Sequence, residues 1–458
     1  MKKFTTYEWL IFIKILENKS DEDILKISSD AVEEFSLKNS NWYSKLLDLA
    51  LRLSDYENKK VNMNFLPTQV DYKNFISLYL SVYDKESNFT EDLKYSLPMA
   101  LSKYMYEQLK YYAPPVNDLG RLIELYGGKD DLFKERFGIT PKQMIYFYSI
   151  NSTKHNIYEP FTFDQMLALM HTYDNKITMK KLKRFLDRFS ISIRNYRLMA
   201  KKMGITKQNM KTERIIEKYP IIALENNYYL IPSINILLSS LTYNIFNILN
   251  SMQKDSKRFK TKFGKTFEEY IRNLTTFSHS DYLFECDKLI DVTEMGQSKA
   301  EFYLLKENAV LLVEAKLLHI DEHIILNMST RDIINKFKDT INDALGQINS
   351  CFNRIESERK YGIIVIHTQI PMLQNYIDIF KDNIKYDFLE NVLILSVIDY
   401  EIMMHNSFEK IIEYFNLSND NKTQVPLFFE QRNKFLIESY EKLVRELAQN
   451  LSNHNNIE

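Results

Sequence analysis

The stretch VLLVEAKLLHI, residues 310–320, sets a carboxylate and an ammonium two positions apart inside an otherwise apolar run. Read as a strand, it puts Glu314 and Lys316 on one face, because side chains alternate with period two. Leaving an ion in a dry core costs on the order of several kcal/mol even after relaxation. The pair is therefore expected to look onto a cleft, water or a metal rather than onto packed hydrocarbon. The competing reading is an edge-strand ion pair, which contributes little. Other Glu-x-Lys triplets, at 17–19, 57–59 and 358–360, sit in polar settings, and only 314–316 follows four apolar residues.

Just upstream, SKAEFYLL (298–305) reads as a second strand carrying Glu301, joined to the first by a tight turn at 306–308. If the two pair as a hairpin, Glu301 and Glu314 fall near one another with Lys316 on the same face. Two carboxylates that close repel, and a divalent cation relieves the repulsion; oxygen ligands suit Mg²⁺ or Mn²⁺ better than zinc. FGKTFEEYI places Glu268 on a helix predicted over 264–276, within reach of the same ion; a solvent-facing residue beside Glu269 is the alternative. A long helix over 331–356 has its core stripe at Ile341, Leu345, Ile348 and Phe352. Gln347 lies on the flank shared with Ala344 and Cys351, where small neighbours let it approach the site, and a plain structural role is equally open. With strands near 282–290, 361–368 and 391–399, the pattern is an α/β core.

The order of helix with Glu268, strand with Glu301, VLLVEAK with Glu314 and Lys316, and helix with Gln347 resembles the PD-(D/E)xK nuclease superfamily over residues 261–370. The resemblance implies a restriction-endonuclease-like α/β core with a mixed central sheet, and Glu268, Glu301, Glu314, Lys316 and Gln347 as catalytic residues. It implies Mg²⁺ or Mn²⁺ held by Glu268, Glu301 and Glu314, and a lysine that orders the attacking water. The activity implied is phosphodiester hydrolysis, of DNA by family precedent, as in bacterial restriction or anti-phage defence. The family's first strand acid is usually Asp and here it is Glu301, so an inactive fold serving as a nucleic-acid or partner-binding scaffold is the alternative. A remoter one is HIDEH (319–323), which matches the H-x-x-E-H arrangement of one zinc peptidase class. It begins three residues after the strand lysine, so a strand-to-loop exit is the plainer reading.

With 458 residues, 45% hydrophobic, the chain has material for more than one core. We divide it into a helical region over 1–215, a hairpin and connecting helix over 216–260, the nuclease-like domain over 261–410 and a helical segment over 411–458. No strand signal stands out before 215, and the helical region is the candidate surface for self-association or a partner protein. Sixty basic residues against 61 acidic give a net charge of −1, so attraction to a polyanion must be local. KKLKRFLDRFSISIRNYRLMAKKMGITKQNMK (180–211) supplies such a patch, with Arg194, Arg197, Lys201, Lys202 and Lys207 as nucleic-acid-binding candidates and Phe185, Phe189 and Tyr196 interleaved. A solvated helix face is the alternative. ERFGITPKQM (135–144) and KKMGITKQNM (201–210) each read as a Gly closing one helix and a Thr capping the next, more simply helix–helix corners than a helix-turn-helix.

Two cysteines provide no disulfide framework, which suits a reducing compartment and makes the cytoplasm the default. Residues 228–249 carry no charge, yet Pro232, Asn235, Asn244 and Asn247 interrupt them. A buried helix with its stripe at Ile234, Leu237, Leu238, Leu241, Ile245 and Ile248 is expected there rather than a membrane span. Nine scattered glycines leave no Gly-rich phosphate loop, so a nucleotide-driven motor is not expected.

Overall fold

The computed structural model describes residues 9–10, 47–48, 50–52, 115–153, 160–202, 215–242, 244–286, 300–318, 330–367, 388–417 and 433–455. They form a mixed α/β protein of two compact units, neither contiguous in sequence. Unit one draws on described residues of 1–88, 126–249 and 440–458, and unit two on those of 89–125 and 250–439. Among the described residues no helix is long and apolar enough to cross a membrane.

The first helix of the series, α1 (Pro115–Tyr126), belongs to unit two through Leu125. Unit one then follows as α2 (Asp130–Phe137), α3 (Pro141–Thr153), β1 (Phe161–Thr162), α4 (Phe163–His171), α5 (Met179–Phe189), β2 (Ser190–Ser192), α6 (Ile193–Lys202), β3 (Ile221–Ala223), β4 (Tyr228–Leu230), α7 (Ile234–Thr242) and α8 (Ile245–Ser251). The corner at 135–144 is built as its sequence suggests. Gly138 adopts φ 85° and returns its N–H to Lys134 O, while Thr140 and Gln143 cap each other's backbone N–H at the start of α3. A Cβ on Gly138 would also meet Lys181 O at 2.3 Å. The matching corner at 201–210 lies, beyond Lys202, outside the described residues.

The expected hairpin at 219–233 is present as β3 and β4 around Glu225–Asn227, whose asparagines Asn226 and Asn227 take positive φ. It is not alone: the sheet runs β1-β4-β3-β2, with β2 parallel to β3. Two short strands thus occur before 215, where none was expected. At two and three residues they are too short to show alternation, and they form because the hairpin offers an edge on each side. The uncharged run at 228–249 is one strand and two helices rather than a single helix. It breaks before Asn244, whose backbone O accepts from Ile248 N and whose Nδ2 donates to Glu217 O. Ile236, Leu237, Leu238, Leu241, Ile245 and Ile248 are buried, and Ile234 is half-buried.

Unit two contains α9 (Ser256–His279), β5 (Leu283–Glu285), β6 (Phe302–Lys306), β7 (Ala309–Lys316), α10 (Thr330–Phe352), β8 (Arg359–Ile366), β9 (Val392–Ser396), α11 (Val397–Met404), α12 (Phe408–Phe415) and α13 (Lys434–Asn455). Of α13, only Lys434–Ser439 falls in unit two, the rest belonging to unit one. The five-stranded sheet of unit two has the order β5-β6-β7-β8-β9, antiparallel across the first three strands and parallel across the last three. Val310 and Leu312 of β7 pack with Phe337, Ile341, Leu345 and Ile348 of α10 on one face. By alternation Leu311 and Val313 turn to the other face, where Arg272 of α9 sits over the Phe302 ring. Gly362 of β8 makes the α10 contact close: a Cβ there would come within 3.2 Å of Ile348 and Val392.

Two boundaries differ from the sequence expectation. Helix α9 begins at Ser256, not 264, because the Asp255 side chain accepts from Arg258 N and Gly264 meets nothing tighter than Glu268 Oε1 at 3.9 Å. The apolar run at 391–399 stops being a strand at Ser396, whose hydroxyl accepts from Asp399 N and starts α11. Helix α1 is fastened into unit two by ions. Arg121 donates to both carboxylate oxygens of Glu401 at 2.5 and 2.7 Å and to Asp118 at 2.9 Å, and Tyr270 donates to Glu401 at 2.5 Å, all four residues being buried. Gly120 allows this approach, since a Cβ on it would lie 2.3 Å from Leu436 O.

Candidate functional site

The register of the β6–β7 hairpin decides which carboxylates meet. Phe302 pairs with Val313, and Glu301, one step outside β6, donates its N–H to Val313 O at 3.2 Å, which brings it next to Glu314. Alternation places Glu314 and Lys316 on the α10 side of the sheet, and Glu301 stands just outside the β6 strand. From α10, Gln347 Oε1 accepts from Lys316 Nζ at 2.5 Å, and the same ammonium lies 2.5 Å from Glu314 Oε1. The sequence thus names four groups that the fold brings to one end of β7.

Glu314 is fully buried. Its Oε1 forms a close ion pair with Lys316, whose charge and donated proton both favour the carboxylate. Burial, reinforced by the charges of Glu301 and Glu268, pushes the Glu314 pKa from 4.5 up to about 8 against the opposing pull of Lys316. Burial also raises Glu301, with Glu268 and Glu285 adding to it and Lys316 and Arg272 opposing. Glu268, half-buried on α9, is thus felt by both strand carboxylates.

Sequence reasoning missed Arg272, one turn beyond Glu268. It pairs with Glu285, lies 3.9 Å from Glu301 Oε2 and stacks over Phe302 at 5.9 Å. The i, i+4 spacing from Glu268 on α9 was the available signal. Behind the sheet's α10 face the two cysteines are buried thiols with no disulfide between them, and their mutual hydrogen bond together with burial raises the Cys286 thiol above its ordinary range.

No protein-family model, curated protein or solved structure matches this chain. The likeness over 261–370 therefore stands as a resemblance of residues and their order. Among the described residues no group of three or more His, Cys, Asp and Glu side chains is arranged to hold a metal ion. Two carboxylates, one of them fully buried, nonetheless match what Mg²⁺ takes from a protein, since it commonly keeps waters and substrate phosphates as its remaining ligands.

The nucleic-acid candidates separate. Arg194, Lys201 and Lys202 are exposed on α6. Arg197 is half-buried and its Nε donates to Leu51 O at 2.8 Å, a structural bond. Lys207 lies outside the described residues, as does HIDEH. The interleaved aromatics do not form a stacking platform: Phe185, Phe189 and Tyr196 are fully buried, and Tyr196 donates to Asp48. Their spacing from the basic residues is that of the inner face of amphipathic helices.

Proposed function

We propose that the protein is a metal-dependent nuclease acting on DNA, working in the cytoplasm in a restriction or antiviral role. The observation that carries this reading is the fully buried Glu314 carboxylate, close enough to Glu301 and Glu268 to feel their charge and ion-paired with Lys316, a lysine that a glutamine holds from the next helix. Keeping such a carboxylate anhydrous is unfavourable unless a cation completes it.

Glu314 and Glu301 would hold Mg²⁺ or Mn²⁺, with Glu268 in support; the ion, when bound, polarises the phosphate and lowers the pKa of water. Lys316 is restrained by Gln347 and Glu314, which leaves donor capacity on its ammonium for an attacking water and for charge growing on the phosphate. Gln347 fixes that ammonium and carries no charge of its own, so it positions rather than reacts. For Glu301 to serve, its contact with Arg272 has to open, which leaves the guanidinium on Glu285. That same contact favours a second reading, in which the fold is an inactive scaffold and Arg272 permanently neutralises Glu301.

The deciding experiment incubates the purified chain with linear, circular and single-stranded DNA and with RNA, with and without Mg²⁺. Cleavage that needs Mg²⁺ and falls on the order of 10²–10³-fold in Lys316→Ala, with DNA binding retained, is the expected result. Unchanged cleavage in that variant ends the nuclease assignment, and absence of cleavage under every condition favours the scaffold.

A further inference from the structure

Helices α4 and α5 of unit one form a capped pair. Thr162 and Gln165 cap α4 reciprocally, and Thr178 caps α5 after a turn over 172–178. The inward face of α5 is committed entirely to packing, with Leu182, Phe185, Leu186 and Phe189 fully buried. Phe185 meets the Phe147 ring at 4.8 Å and Phe189 that of Phe137 at 5.6 Å.

The outward face is basic. Residues 176–188 hold Lys176, Lys180, Lys181, Lys183, Arg184 and Arg188 against Asp187 alone, a local charge of six minus one in a chain whose total is −1. Some of these cations already serve the fold: Arg184 donates to Glu135 O and Lys134 O at the end of α2, and Lys181 donates to Lys176 O. Lys180 and Lys183 are exposed and Arg188 half-buried, and among the described residues none of the three has a hydrogen-bond or ion-pair partner. Met179, the first residue of α5, is 61% exposed, more than any other large hydrophobic side chain among the described residues.

The β3–β4 hairpin flanks this face. Burial, with the charge of Asp187 adding to it, raises the Tyr229 hydroxyl above its ordinary range. Next to Tyr229, Tyr228 is 42% exposed at the hairpin's end.

We propose that unit one binds duplex DNA, with α5 entering the major groove, Lys180, Lys183 and Arg188 on phosphates, and Met179 at the base edges. A B-form major groove is wide enough for a helix, and the first residues of a groove-entering helix are those that meet bases. An exposed methionine there offers apolar contact to thymine methyls. Duplex RNA fits poorly, because its major groove is too narrow for side chains to read. A single strand fits poorly too, because stacking needs exposed rings and those of α5 are buried. The proposal goes beyond the carboxylate site and stands without it; the two share only the kind of ligand.

The test measures binding of the full chain in EDTA, by fluorescence anisotropy over a salt series, to duplex DNA, duplex RNA and single-stranded DNA of one sequence. Duplex DNA is expected to bind tightest. Lys180→Gln with Lys183→Gln and Arg188→Gln should weaken it at least tenfold and flatten the slope of log K against log salt by about 0.9 for each phosphate no longer neutralised, roughly 3 in all. Met179→Ala should leave that slope unchanged and reduce discrimination between duplex sequences. Parent-like binding by the triple variant, or RNA or single strands bound as tightly as duplex DNA, overturns the proposal. So does loss of binding in Lys201→Ala with Lys202→Ala alone, which moves the site to α6. Lys180→Gln alone, at an exposed position, should still flatten the slope if the triple variant folds poorly. Duplex binding without Mg²⁺-dependent cleavage sinks only the nuclease reading, and cleavage without any dependence on α5 sinks only this one.

Discussion

Glu314 states the residue-scale problem in thermodynamic form. Its pKa rises from 4.5 in the unfolded chain to about 8 in the fold, so between those values the folded state holds a proton that the unfolded state has released. The contribution is fully present below pH 4.5 and is lost as pH rises to about 8. Glu314→Gln removes the titration, so in EDTA the stability of the variant relative to the parent should increase steadily across that window. Urea unfolding at pH 5, 6.5 and 8 checks this. Added Mg²⁺ should stabilise the parent at pH 8 and leave the variant unmoved. Much of this site was legible in the sequence, because a hairpin of known turn position fixes which residues face each other, and Glu301 and Glu314 follow from that count. Arg272 was legible only as a cation one turn from Glu268: its partners Glu285 and Glu301 lie on other elements, and the tertiary fold alone brings it to them.

At the scale of elements, the approach of α10 to the sheet depends on one missing side chain. Gly362 sits between Leu312 and Val392 in register and under Ile348, with 3.2 Å available to a Cβ. Gly362→Ala should cost about 1–2 kcal/mol by overpacking. Ile348→Val in the same chain should recover part of it, because the crowded methyl is then gone; urea unfolding of the single and double variants measures both. Strand and helix identities in this half followed from the continuous apolar run of β7 and the helical stripe of α10. The misread boundaries share one cause. At Asp255 and Ser396 a side chain caps a helix inside a run whose composition continues unchanged, and composition does not report a cap.

Across the molecule, unit two is completed by α1, which sequence order places far from it. Arg121→Ala would leave Glu401 buried without its cation, and a loss of about 3–5 kcal/mol is expected in chemical denaturation of the full chain. Replacing Arg121 and Glu401 together by Met should cost less, since Glu401 is then not stranded, although buried Asp118 still loses its arginine. For the same reason a fragment starting at 250 should lack a cooperative thermal transition, even though it carries the entire five-stranded sheet. Composition and length predicted several cores, but nothing local to residues 115–126 marks them as belonging to the sheet.

The bond between Arg121 and Glu401 spans 280 residues. On a ribosome adding roughly 5–20 residues per second, α1 emerges about 14–56 s before its partner exists. During that interval the chain between them, including the strands and helices of unit one, is made and free to fold. Arg121 and its neighbours must stay soluble and unclaimed until the last eighth or so of the protein arrives, so the buried ion cluster that closes unit two is a late event in the life of each molecule.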